Sequence, residues 1–193
     1  MVTHPYPTLR PMFDELRGQS VLVRPYRETD ASDVFQAISE SRDYLLPWLP
    51  FAAHYQRVEE AQEFVNRCIA HWQLREDFPV GLWDLASGRF VGSSGLHPRD
   101  WNIPAFEVGY WLRREAEGHG YVTEAVKLLS EYAFMALGAQ RVFIRCDARN
   151  ARSAAVAARA GFVLEGRLRR DSIAYDGVLR DTLIYAMTAE DPR

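Results

Sequence analysis

The residue types most able to do chemistry crowd into one stretch, EVGYWLRREAEGHGYVTEA, residues 107–125. Glu107 heads it, Arg113 and Arg114 follow, and Gly118 and Gly120 bracket His119. An acid can take up a proton, arginines carry positive charge, and a glycine-punctuated loop lets backbone come close to an anion. Alternating Phe106, Val108, Tyr110 and Leu112 predict a strand, while Val122, Ala125, Val126 and Leu129 predict an amphipathic helix. Strand, glycine loop and helix start together bind anions, because the first helical turn offers unpaired amides at the positive end of the helix dipole. A diphosphate is the expected guest.

Glycine spacing alone leaves the carrier of that diphosphate open. A P-loop needs Gly-x-x-x-x-Gly-Lys followed by Ser or Thr, and neither the spacing nor the lysine is present. A dinucleotide fingerprint needs a third glycine where Thr123 stands, and an acid where Arg145 and Cys146 stand. Two readings remain: another phosphate-bearing ligand, or a plain tight turn before a helix.

The elements that must position these residues follow from pattern. Residues 1–18 carry Pro5, Pro7 and Pro11 with little periodicity, which predicts an arm on the surface. SVLVR (20–24) predicts a strand closed by Pro25, and Asp30 is the predicted N-cap of a helix through Val34, Ala37 and Ile38. YLLPWLPF (44–51) is an apolar loop broken by two prolines. A second helix spans about 58–75, with Ala61, Val65, Cys68 and Trp72 on one face. Strands at 78–84 and 89–97 join through an Ala86-Ser87-Gly88 turn. Past the glycine loop come a helix stopping at Gly138, a strand at 142–146, and an alanine-rich helix at 150–160. Two strands, 162–170 and 178–188, then fold about an Asp176-Gly177 turn. The order is β-α-α-β-β-β-α-β-α-β-β, an α/β chain whose antiparallel meander feeds one crossover unit.

Composition narrows the function classes. A chain of 193 residues, 48% of them hydrophobic, is expected to form one domain over residues 19–190 behind its arm. Acids number 26 against 23 Lys and Arg, which argues against a general nucleic-acid binder. Cys68 and Cys146 lack CxxC spacing and are expected as buried thiols. His4, His54, His71, His97 and His119 show no ligand spacing, so no metal is expected. The absence of a signal peptide or long apolar run predicts a cytoplasmic protein away from the membrane.

The motifs, taken in order, resemble the GNAT superfamily of acyl-CoA-dependent N-acetyltransferases. Its loop pattern, Gln/Arg-x-x-Gly-x-Gly/Ala, is matched by Glu115-Ala116-Glu117-Gly118-His119-Gly120, and its Asn-to-Gly-Phe helix by Asn150 through Gly161-Phe162. EVGYWL, GHGYVTEA, NARSAAVAARAGFVLEGRLR and DTLIYA are most similar to the branch that acetylates ribosomal-protein N-termini. The resemblance spans roughly residues 18–188 and implies the GNAT fold, a central, mostly antiparallel mixed sheet flanked by helices.

It also implies a mechanism. Acetyl-CoA would be the co-substrate, its pyrophosphate on the amides of Glu117, Gly118, His119, Gly120, Tyr121 and Val122, with charge added by Arg113 and Arg114, each of which equally fits a solvated arginine at the strand end. The pantetheine arm would lie between splayed strands 106–112 and 141–146, and an amide around Val108 to Tyr110 would polarise the thioester carbonyl. The amine attacks directly, without an acyl-enzyme. An α-amino group titrates near ~8 and a lysine near ~10.4, so the amine must first lose a proton. Glu107 is the expected base, through water. Its alternative role is a solvent-facing strand acid or a partner to an arginine.

Two positions depart from the superfamily. Ala157 stands where many members place an acidic Tyr, and Glu115 stands where Gln or Arg is preferred. In the ribosomal-protein branch a Ser three residues after the motif Asn takes over, and Ser153 matches it as a hydrogen-bond donor to the leaving sulfur. Asn150 and Ser153 also fit an N-cap and a first-turn serine. Trp48, Trp101, Asp171 and Tyr175 are the expected acceptor-side residues; Trp48 equally fits a core position. The acceptor is expected to be a primary amine, a protein N-terminal α-amino group, with a polyamine or an antibiotic as the alternative. A binding module that has lost turnover is the rival class, and the resemblance allows a homodimer without fixing its interface.

Overall fold

A computed structural model describes residues 12–191. In chain order the elements are β1 (Leu16–Arg17), β2 (Val21–Pro25), α1 (Ala31–Leu45), α2 (Val58–Leu74), β3 (Phe78–Asp84), β4 (Phe90–Asp100), β5 (Ala105–Leu112), α3 (Tyr121–Met135), β6 (Arg141–Asp147), α4 (Ala151–Arg159), β7 (Val163–Ile173) and β8 (Leu179–Thr188). The eight strands form one sheet in the order β1-β2-β3-β4-β5-β6-β8-β7. Only β5 and β6 pair in parallel, joined by the α3 crossover; every other neighbour is antiparallel.

Strand periodicity assigns the two faces. In β5, Phe106 and Val108 pack with Val126, Leu129 and Ile144 on the α3 side. Trp111 turns the other way and packs with Ile38, Val65 and Phe90 beneath α1 and α2. Burying a side chain such as Phe106 or Leu129, both fully enclosed, is worth about 1.5–3 kcal/mol. Both helical layers are therefore held to β5 by its own alternation.

Three expectations change in detail. Residues 1–11 of the predicted arm lie outside the described residues, and the rest of it is tied down. Phe13 inserts edge-on between Trp72 and Tyr132 at 5.1 and 4.7 Å, and β1 pairs with β2. Asp30 does not cap α1 with its side chain. Its carboxylate instead holds buried Arg24 at 2.8 and 2.9 Å and the Arg27 amide at 2.7 Å, because a buried guanidinium needs a counter-charge more than a helix end needs a cap. The apolar stretch after α1 is partly helical, with a short 3₁₀ turn at Pro50–His54.

Candidate active site

β5 and β6 pair only over Ala105–Glu107 and Arg141–Phe143. Beyond that point they diverge, and a cavity of about 1020 Å³ opens between them. Its walls come from β5, the start of α3, β6, α4 and the end of α1. On its other edge β5 stays paired with β4 out to Leu112. Alternate N–H and C=O groups of residues 108–112 on the β6 side therefore lose their ladder partners and face the gap. Backbone of that kind pairs with an extended amide-bearing chain.

The loop at the wide end is built on left-handed backbone. Gly118 and Gly120 both have φ near 81°, and Gly120 is the N-cap residue of α3. Any side chain at 120 would be strained there. Nothing lies within 4 Å of a Cβ placed on either glycine, so the loop is open on that side. The Glu117 amide, expected to meet the pyrophosphate, is instead taken by Arg114 O at 3.3 Å; from Gly118 on, the first amide to bond back is Glu124, to Gly120 O at 3.0 Å, which leaves the turn between them for an anion.

The two loop acids do not oppose such an anion as their charges suggest. Glu115 points outward to Arg89 at 3.0 Å. Glu117 lines the cleft but accepts the Tyr44 hydroxyl at 2.5 Å and lies 3.5 Å from Arg152. Burial and that carboxylate push the Tyr44 hydroxyl up to about 12, so it stays a donor.

Where the strands part, Tyr110 and Ser153 meet. The Tyr110 hydroxyl donates to Ser153 O at 3.0 Å and lies 3.0 Å from Ser153 Oγ. Asn150 Oδ1 accepts the Ser153 amide at 3.1 Å, which caps α4 and aims Ser153 into the cleft. Burial pushes the Tyr110 hydroxyl well above its ordinary range and also raises the Cys146 thiol, to which Ser153 hydrogen-bonds. A raised thiol is a poor nucleophile, so Cys146 does not suit an acyl-enzyme. Ala157, at the superfamily's tyrosine position, is wholly buried.

Of the sequence-predicted residues, Glu107, Val108, Tyr110, Glu117, Gly118, Gly120, Tyr121, Val122, Asn150, Ser153 and Trp48 line this cavity. Six do not. Arg113 continues the parity of Trp111, so it points under α1, donating to Phe90 O at 3.2 Å and to Glu40. Arg114 is exposed, and its amide bonds Ser41 Oγ at 3.1 Å. His119 stacks on Tyr121 at 5.5 Å with Nδ1 2.9 Å from Glu117 O, on the solvent side of the loop. Trp101 packs edge-on against Phe106 and Phe78 at 5.3 and 6.5 Å, below the sheet's end. Asp171 binds Arg145 at 2.8 Å, and Tyr175 stands exposed at the β7–β8 hairpin tip. The positive charge instead comes from Arg145, Arg152, Arg159 and Arg180, with Tyr44 beside them. Arg152 and Arg159 sit two helical turns apart on α4, a spacing that could have been read from the sequence. Arg145 and Arg180 carried no such signal.

A parallel strand pair that opens beside a glycine loop and a helix start has the shape to take a donor that carries a diphosphate on an extended amide-bearing arm. Residues 20–163 match the family model described as an acetyltransferase (GNAT) domain, and the chain belongs to that family. It is an enzyme, an N-acetyltransferase. It is 36% identical to the ribosomal-protein-serine acetyltransferase of Escherichia coli (strain K12), over 83% of this chain and 90% of that protein. It is 30% identical to the "Probable N-acetyltransferase YjcK" of Bacillus subtilis (strain 168), over 91% of this chain and 98% of that one. The fold matches the microcin C7 self-immunity acetyltransferase MccE, solved with acetyl-CoA and AMP, at a TM-score of 0.82 and 23% identity over 89% of this chain and 93% of that one. Among the described residues no His, Cys, Asp and Glu group suits a metal ion, and no helix is long and apolar enough to cross a membrane.

Proposed function

We propose that the protein transfers the acetyl group of acetyl-CoA to a primary amine, the α-amino group of a protein N-terminus, by direct attack. The observation that carries this reading is the divergence of β5 and β6 after Glu107 and Phe143, directly beside the Gly118–Gly120 loop. The diphosphate would sit on the amides of the α3 start, with Arg152 and Arg159 adding charge. The pantetheine amides would bond the freed edge of residues 108–112, which brings the thioester carbonyl to the β5 amides near Gly109 and Tyr110. Tyr110 and Ser153 would then hydrogen-bond the sulfur as it leaves. The protein N-terminus is favoured as acceptor by the 36% identity to an enzyme named for a ribosomal-protein serine.

The test is calorimetric titration with acetyl-CoA, with NADH and ATP as controls, followed by acetylation assays on N-terminal serine peptides and on polyamines. Micromolar binding of acetyl-CoA alone and acetylation of the peptide α-amine are expected. Acetyl-CoA binding without transfer to any amine would favour a binding module. Faster transfer to a polyamine than to peptides would replace the acceptor class.

A further inference from the structure

A second cavity, of about 460 Å³, lies on the α1/α2 side of the same strand. It shares Leu49, Gly109, Tyr110 and Trp111 with the donor cleft, so the two meet at the stretch of β5 where the thioester carbonyl is placed. His97 of β4 faces this meeting point. Its Nδ1 lies 2.7 Å from Asp77 Oδ1, and the same carboxylate oxygen is fixed by the Phe78 amide at 3.0 Å. An ionised carboxylate can only accept, so Nδ1 carries the proton and the lone pair of a neutral ring sits on Nε2. The ring lies across Gly95 and Gly109: a Cβ on Gly95 would stand 3.0 Å from Nε2, and one on Gly109 3.4 Å from it. The lone pair is thus held against the wall common to both cavities.

Glu107 is differently placed. It is the direct cross-strand partner of His97, but its Oε2 accepts from Arg99 twice, at 3.0 and 2.9 Å. That carboxylate oxygen is already occupied by a guanidinium. As classes, imidazoles titrate near ~6.5 and glutamates near ~4.3, against ~8 for an α-amino group, so an imidazole takes that proton more readily by about two units.

We propose that His97 is the general base of the acetyl transfer and Asp77 the residue that positions it. This rests on the acetyltransferase reading above. His97 Nε2 takes one proton from the acceptor ammonium and returns it to solvent through the second cavity. The neutral amine forms the C–N bond, the C–S bond breaks, and the second amine proton passes to the thiolate by way of the Tyr110 and Ser153 hydroxyls. The acceptor therefore enters from the α1/α2 side, opposite the donor.

The groups facing His97 allow a clean test. Burial pushes the Cys68 thiol and the Tyr55 hydroxyl up to about 12 and the Tyr110 hydroxyl higher still, so all three stay neutral at working pH. Arg67 lines the same cavity, Asp77 is bonded to His97, the cross-strand Glu107 is paired with Arg99, and His71 is the other histidine on the cavity, 3.2 Å from Glu76. The experiment is kcat/KM for a serine-starting peptide from about pH 5.5 to 9.5, with acetyl-CoA affinity measured by calorimetry. His97→Asn and His97→Gln are expected to lose about 100-fold or more in kcat, to bind acetyl-CoA within about twofold, and to recover partly with added imidazole. The inflection on the acid side disappears in both, and survives in His71→Asn. Asp77→Asn loses about tenfold and Asp77→Glu restores part of it. Folding of each variant is checked by circular dichroism, and rescue by imidazole requires a folded site. Activity of both His97 variants within about threefold of the unaltered protein overturns the proposal, as does an intact acid-side inflection. So does a loss confined to Glu107→Gln, which would make Glu107 the base. An unaltered protein that acetylates no amine instead removes the reading beneath it.

Discussion

The two faces of β5 are made differently. Toward α3 and α4, the donor side is built mostly from backbone: freed strand groups, two left-handed glycines and the amides of a helix start. Toward α1 and α2, the other side is built from side chains that reach in from separate elements, among them Cys68, His71, Asp77 and His97. A backbone site needs only the right local conformation. A side-chain site needs distant elements to be correctly stacked, so its members scatter along the chain.

Substitutions that strike one face only should break this contrast most sharply. The largest expected effect is Gly120→Val, which places a branched side chain at φ 81° on the α3 N-cap. Acetyl-CoA affinity should fall about 100-fold or more in calorimetry, and an unchanged affinity would show that the loop does not hold the diphosphate. Next is Tyr110→Phe, which removes both contacts to Ser153. A loss of about tenfold in kcat is expected with acetyl-CoA binding nearly intact. A double-mutant cycle with Ser153→Ala should be non-additive if the two hydroxyls serve one sulfur.

Arg113→Ala separates fold from donor binding. It strips Phe90 O and Glu40 of a buried donor and should cost roughly 2 kcal/mol in chemical denaturation, with acetyl-CoA affinity unchanged. Loss of that affinity would return Arg113 to the donor site. The smallest effect is in acid. Hydrogen bonding from Arg113 lowers the Glu40 carboxyl below its ordinary value. That contribution to stability is present above the unfolded carboxyl range and is lost as pH falls through the lowered value. Arg113→Ala should therefore flatten this part of the acid limb of stability, measured by denaturation between about pH 3 and 6.

Much of the donor side was legible in the sequence because its causes are local. Gly118 and Gly120, the apolar alternation of β5 and the Asn150 cap each act within one turn or one strand. The same alternation, followed one residue further, already turns Arg113 away from the cleft. Arg114 and His119 were harder, since an exposed loop side chain has no periodicity to fix its direction. Trp101 was drawn off by Phe78 and Phe106, neighbours that only strand order supplies.

The sequence by itself determined the order of elements from β2 onward, the crossover after β5, the glycine loop and the family to which they belong, because turn chemistry and periodicity are local properties. Tertiary structure alone decided that β5 and β6 part after Glu107, that Arg152 and Tyr44 rather than Arg113 meet Glu117, and that Asp77 reaches His97 from twenty residues away. Charges and hydrogen bonds fall off over a few ångströms, so which side chains become partners depends on how the layers stack.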